Sequence, residues 1–353
     1  MPAASPSSSK RNQRVLIIIV ALGLVALVYH FRSRIHFDGP TFVQQVRLAS
    51  PWHVLTALAL ILSTYWMRSA RWATFISPVR RVPLFSLTGS QFIGFTAVSL
   101  FGRLADLTRP YLISKRVELS VSSQVAVYTI ERMFDLGAAA VLFSFALAIT
   151  PRTAPHHEIF VRSGVLALAG TAFLAGFALA IRLAGPALAR MVRATIGRVS
   201  KPLGEGIAEK ILGFREGLYV LSSVRDFAAV SALSMLIWTC VAFSYVEAVH
   251  AFPHTPELAT LPFSRVMLLM GASMGGSLLQ LPIIGWFTQV AVTSAAMYTF
   301  YGAPIEAATA CGGVLLLNNV LCVIPIGIFY SRLERVSLRA ATKESSTLES
   351  DKA

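Results

Sequence analysis

Long apolar runs separated by short basic connections set the pattern of this chain. Val15 to His30, Trp52 to Met67, Val121 to Ile149, Val161 to Ile181, Phe227 to Val249 and Pro304 to Tyr330 are each predominantly apolar. Their lengths approach or exceed the roughly 17–25 residues that carry a helix across a hydrocarbon core. The pattern predicts a membrane-crossing helix at each. Two further apolar regions, Val82 to Leu119 and Arg265 to Gly302, are interrupted instead, the first at Gly102 and the second at Pro282 and Gly285.

The positions of lysine and arginine give these elements a side. The connection from Arg182 to Arg225 holds eight of them and the tail after Tyr330 five, whereas Ala251 to Leu261 has none. Basic connections stay in the cytoplasm, so the segment around Pro253 is expected outside, and Trp52 to Met67 is expected to end inside at Arg68 and Arg71. Val82 to Leu119 then has to enter and leave from the cytoplasm, and Arg265 to Gly302 from the outside.

The predicted fold is therefore an all-α, polytopic integral membrane protein. It has about six full spans and two re-entrant helical hairpins, each followed by one long helix, in an inverted-repeat-like arrangement. An offset of 184 residues lays Ser120 on Pro304, Ala126 on Ala310 and Asp135 on Asn319. Paired interrupted segments of this kind point to a binding site, because the freed backbone and helix ends can line a cavity. The expected domains are a disordered cytoplasmic N-terminus over 1–14, a transmembrane domain over 15–335 with a cytoplasmic amphipathic connection at 182–225, and a disordered cytoplasmic tail over 336–353.

Composition agrees with a membrane chain. Of the 353 residues 55% are hydrophobic and 14% charged, and mean hydropathy is +0.65. The net charge of +14 is spread through the connections rather than gathered on one module. That suits anionic lipid headgroups and argues against nucleic acid. Val15 to Val28 follows a basic tail but no small-residue cleavage site follows it, so an uncleaved first span is expected. Cys240, Cys311 and Cys322 lie inside apolar runs without CxxC spacing and suggest no metal site. No nucleotide-binding loop is present, and no cofactor is expected.

Candidate chemistry lies in two charged stretches. Glu131, Arg132 and Asp135 fall ten to fourteen residues into the third span, about 15 to 21 Å deep at roughly 1.5 Å per residue. Charges there must face protein, water or each other. Glu131 and Asp135 share a face, with Arg132 a quarter turn away. In "FGRLADLTRPYLISKR", Arg103, Asp106 and Arg109 recur every three residues, which on one helix would give a charged flank. Arginine forks could hold an anionic phosphate, and carboxylates a cationic or hydroxylated headgroup. Internal salt bridges pinning the hairpin would use the same residues. The second hairpin is uncharged from Val266 to Ala303. Its candidates are Pro282, Gly285 and Gln289, with Asn319 from the last span. Gly271 and Gly275 have the spacing of close helix packing.

"RSARW", "GRLADLTRPYLISKR", "ERMFDL" and a late proline-glycine hairpin resemble, in that order, the transmembrane region of lysylphosphatidylglycerol synthases and the stand-alone flippase-like proteins related to it. The resemblance covers about Trp52 to Tyr330. It implies movement of a phospholipid or related amphiphile between leaflets of the bacterial cytoplasmic membrane. It does not imply aminoacyl transfer, which belongs to a separate soluble domain, and the polar tail after Tyr330 is too short to fold as one. Against the family pattern, Asp106 stands where a glutamate is usual, and Gln289 where a glutamate follows the late turn. A lipid flippase without enzymatic activity of its own is therefore expected. A membrane glycosyltransferase using Asp106, Glu131 or Asp135, and a non-transporting scaffold for a lipid-modifying enzyme, remain alternatives. The expected partners are membrane lipids, with room for a partner enzyme of lipid or envelope synthesis or a second copy of the chain.

Overall fold

The computed structural model describes residues 37–150, 157–218, 223–277 and 284–350. The expected N-terminal tail, the first span at Val15 to His30, and Pro282 lie outside the described residues.

Helices α1 (Gly39–Leu48) and α2 (Pro51–Ile76) meet at a 73° bend. The Asp38 carboxylate caps α1 by accepting from the Thr41 N–H at 3.2 Å, and proline in the first turn starts α2, where its missing N–H costs nothing. Helices α3 (Thr88–Phe101) and α4 (Thr108–Val117) are joined through a 3₁₀ turn, Gly102–Ala105. Gly102 takes φ 67° there, a conformation open to glycine and costly for other residues. The expected single charged flank is not formed. Arg103 lies in the 3₁₀ turn, Asp106 in the turn after it and Arg109 on α4, because the glycine breaks the helix before a three-residue repeat can build up.

Helix α5 (Val121–Ala148) starts at Ser120, whose hydroxyl accepts from the Ser123 N–H. Helix α6 (His157–Val199) kinks at Ala184, just before Pro186, and α7 (Lys201–Leu218) folds back on it, with Arg193 paired to Glu205 at 2.8 Å. Then follow α8 (Val224–His250), the short α9 (Pro256–Ala259), α10 (Phe263–Ser277), α11 (Ile284–Tyr301) and α12 (Ile305–Leu316). A π-helical turn, Leu317–Leu321, leads into α13 (Val323–Leu333). The 184-residue offset falls on the helix starts: Ser120 caps α5 and Pro304 occupies the capping position of α12.

The tail differs from expectation. Residues expected to be disordered from 336 form α14 (Leu338–Ser350), packed against α3 and α4. Ala341 and Ser345 are buried, the Thr108 hydroxyl lies 3.4 Å from that of Thr342, and the Tyr111 hydroxyl donates to the Glu344 carboxylate.

Two units of like packing build the bundle. In one, α2 packs on α3, α3 on α4 and α4 on α5; in the other, α8 packs on α10, α10 on α11 and α11 on α12. Each unit lends its hairpin to the other: α3 also packs on α13, and α10 on α5. Likewise α1 rests on α12 and α7 on α5. The units run in opposite directions about the α2–α8 contact. Near one end the Ser50 N–H donates to the Ala251 carbonyl at 2.7 Å, and further along Arg71 donates to Ser234 at 2.8 Å. The mouth of the α3–α4 hairpin sits by the end of α2, where Arg80 donates to the Val117 carbonyl at 2.6 Å. The mouth of the α10–α11 hairpin is closed by Tyr301 donating to the Arg265 carbonyl at 2.8 Å, and lies by the end of α8, where His250 Nε2 is 3.0 Å from the Leu261 oxygen. The open ends of the two helix pairs thus lie at opposite ends of the bundle, and near the start of α11 the Trp286 Nε1–H donates to the Ser99 carbonyl, near the end of α3, at 3.1 Å.

By length and composition two described helices can cross a membrane, Arg225–His250 and Ile305–Leu333, and the bent α1–α2 pair qualifies when taken together. Helix α5 is long enough but carries three charges at its centre. Its flank and that of α6 expose Leu136, Phe145, Leu166 and Phe173, large side chains that suit lipid rather than water.

Candidate functional site

The charges of α5 face inward onto two arginines from other helices. Glu131 and Asp135 are 1% and 3% exposed, and Arg71 of α2 is fully buried between them. Its guanidinium donates to Glu131 Oε1 at 2.5 Å, to Asp135 Oδ1 at 2.7 Å and to the Ser234 hydroxyl at 2.8 Å. Arg109 of α4 grips the same Glu131 in a fork, with Nη2 to Oε2 at 2.5 Å and Nη1 to Oε1 at 3.2 Å, and donates to the Gln91 carbonyl oxygen at 3.0 Å. Its guanidinium also lies over the rings of Trp72, Phe95 and Tyr128. Asp135 accepts from the Trp238 N–H at 3.1 Å, and its second oxygen lies 3.7 Å from both Arg68 and Arg132. Glu131 is therefore saturated, while Asp135 keeps one oxygen loosely shared between two cations.

Close approach of the hairpin helices makes this possible. A Cβ on Gly94 of α3 would stand 2.5 Å from Arg109 Cβ, so glycine lets α4 bring its arginine to α5.

Beside this network is a cavity of about 590 Å³ between the two hairpins. Arg68, Arg109, Arg132 and Asp106 line it from the first unit, with Tyr128 and Phe95; Ser273, Gly285, Trp286, Gln289, Asn319 and Tyr245 line it from the second. Among these walls three arginines face one carboxylate. Arg132 has a side chain 45% exposed and rests over Tyr128 at 4.8 Å, which leaves much of its fork turned away from protein. On the far wall Gln289 donates to the Ser273 hydroxyl at 3.1 Å, and Tyr245 donates to the same oxygen at 3.1 Å. Asn319 lies on the π-helical turn, its amide donating to the Leu315 carbonyl at 2.9 Å. A π turn widens the helix by one residue and often marks a functional segment.

Of the sequence-predicted residues, Asp106, Arg109, Arg132, Gly285, Gln289 and Asn319 meet at the cavity, and Glu131 and Asp135 form the network behind it. Arg103 occupies the hairpin tip. Pro282 lies outside the described residues. Gly275, expected in close packing, meets open space, while Gly271 touches Phe143. The expected helix end at Met67 is corrected as well. Arg68 and Arg71 stand inside the helix, because α2 continues to Ile76, burying Arg71 and half-burying Arg68 beside α5. The signal for this was present in the apolar "WATFI" after Arg71, which carries the helix onward.

Apolar outward faces, an internally paired charge network and a polar cavity between two helix pairs fit a helical membrane protein. The chain belongs to the family described as the lysylphosphatidylglycerol synthase TM region, whose model matches residues 14–327. That family places it among membrane proteins of lipid modification or flipping. No curated protein matches the chain.

Proposed function

We propose that the chain is a flippase that moves a phosphate-bearing amphiphile between the leaflets of the bacterial cytoplasmic membrane, without enzymatic chemistry of its own. In this reading the chain is multi-pass, with two hairpins that re-enter from opposite faces, and the headgroup passes between their tips while the acyl chains stay in lipid. The observation that carries it is the cavity of about 590 Å³ at the meeting of the tips, lined by Arg68, Arg109 and Arg132. A volume of this size suits a small polar ligand, and the arginine excess suits a phosphate. Arg132 is the least committed of the three, with a half-exposed guanidinium and its nearest carboxylate at 3.7 Å. It is assigned the phosphate contact.

The test is leaflet exchange of a tail-labelled phospholipid in vesicles holding the purified chain. Arg132→Lys keeps the charge but loses the fork, and should slow exchange roughly tenfold, the worth of about one charged hydrogen bond. Wild-type exchange no faster than in empty vesicles would refute the function. A wild-type rate in Arg132→Lys would remove Arg132 from the path.

A further inference from the structure

The two walls of the cavity differ in chemistry, and the difference selects a headgroup. The arginines and Asp106 stand on the first unit, and Asp106 is itself already engaged in an interaction. The opposite wall offers Tyr245, Ser273, Gln289 and Asn319, which are hydrogen-bonding and uncharged, set among Met270, Met274 and Trp286. Gln289 is 6% exposed. One N–H of its amide donates to Ser273, and its carbonyl oxygen can only accept. One N–H of the Asn319 amide likewise donates to the Leu315 carbonyl, and its oxygen too is an acceptor. The wall thus presents acceptor oxygens without a negative charge.

We propose that the cavity selects amphiphiles whose phosphate carries an uncharged hydroxylated group over those whose phosphate carries an ammonium; this rests on the site being the lipid path described above. With phosphate held by the arginines, the outer end of the headgroup falls against the second unit. Hydroxyls there donate to the Gln289 and Asn319 oxygens and replace the water they leave behind. An ammonium meets the same oxygens with no carboxylate to balance it, inside a cavity whose other charges are mainly arginines, and loses its hydration without compensation. Gln289 is the specificity-determining residue, because it is the buried one of the two amides on this wall and exchange of its amide nitrogen for oxygen gives it a charge.

The experiment compares tail-labelled phosphatidylglycerol with phosphatidylethanolamine of the same acyl chains, each at trace level in phosphatidylcholine vesicles holding the full chain. The two lipids share the phosphate, and only the second carries an ammonium, with no carboxylate of its own beside it. Wild-type protein should move the glycerol lipid about tenfold faster or more, as an uncompensated buried charge requires. Gln289→Glu should narrow or reverse the ratio by giving the ammonium a partner. Equal rates for the two lipids in wild-type protein, or faster phosphatidylethanolamine, would overturn the selectivity while leaving the flippase reading intact. Exchange of neither lipid would overturn both. The wild-type ratio decides the matter even where Gln289→Glu does not fold.

Discussion

Replacing Arg71 by glutamine should injure the fold far more than the same change at Arg132, although both arginines belong to one charged cluster. Arg71 is fully buried and donates to Glu131, Asp135 and Ser234 within 2.8 Å. Its loss leaves Asp135 with one N–H from Trp238 and two cations at 3.7 Å, while Glu131 keeps the fork of Arg109. Breaking a buried pair from one side costs about 3–5 kcal/mol. The surviving Arg109 fork on Glu131 and the two cations that stay beside Asp135 put this case near the lower figure. Arg132 holds a side chain 45% exposed and touches a carboxylate only at 3.7 Å, the situation of a surface pair worth about 0–1 kcal/mol. The two variants should therefore separate by about 2 kcal/mol or more in denaturant unfolding of the purified protein in one detergent. Arg71→Gln should lose a large share of a total stability that is ordinarily about 5–15 kcal/mol. Leaflet exchange should rank them the other way once normalised to folded protein. An Arg71→Gln midpoint equal to that of Arg132→Gln would refute the division of the cluster into a holding part and a binding part.

Two further outcomes follow from the architecture. Single cysteines at the exposed positions Lys201 and His254, in a background without Cys240, Cys311 and Cys322, should label from opposite sides of intact cells or oriented vesicles; same-side labelling would remove the proposed opposed hairpins. Ala341→Asp puts a charge at the buried face of α14 and should release that helix, read as faster hydrogen exchange over 338–350 and at the Tyr111 end of α4, whereas unchanged exchange there would mean that the contact contributes nothing to order.

Much of the fold could be read from pattern because membrane helices announce themselves by length and their starts by capping. Ser120 before an apolar run fixed the beginning of α5, and Gly102 fixed the break of the first hairpin. The spacing of Glu131 and Asp135 was enough to place both on one inward face. Other features carried no such signature. A basic residue at a cytoplasmic helix end and one buried against carboxylates look alike in a charge count, so the pattern alone puts Arg71 at the end of a span. Its partners lie 60 and 64 residues away, beyond any local period. The π turn at Leu317–Leu321 adds a residue to a helix without altering its composition. Helix α14 docks through Leu338, Ala341 and several hydroxyls, too little apolar surface to be seen as periodicity.

The sequence order of the charged network bears on how the chain is made. Arg68, Arg71 and Arg109 all precede Glu131, and Arg132 and Asp135 follow it within four positions. Every ion in the cluster has therefore been synthesised by residue 135, when the whole neutral wall, from Tyr245 to Asn319, has yet to emerge. Opposite charges that would each cost about 2.5–3.5 kcal/mol to insert alone are available to one another from the start. The half of the protein that carries these ions can pair its carboxylates with arginines on entering the bilayer, and the half that arrives later adds no ions to the cavity walls.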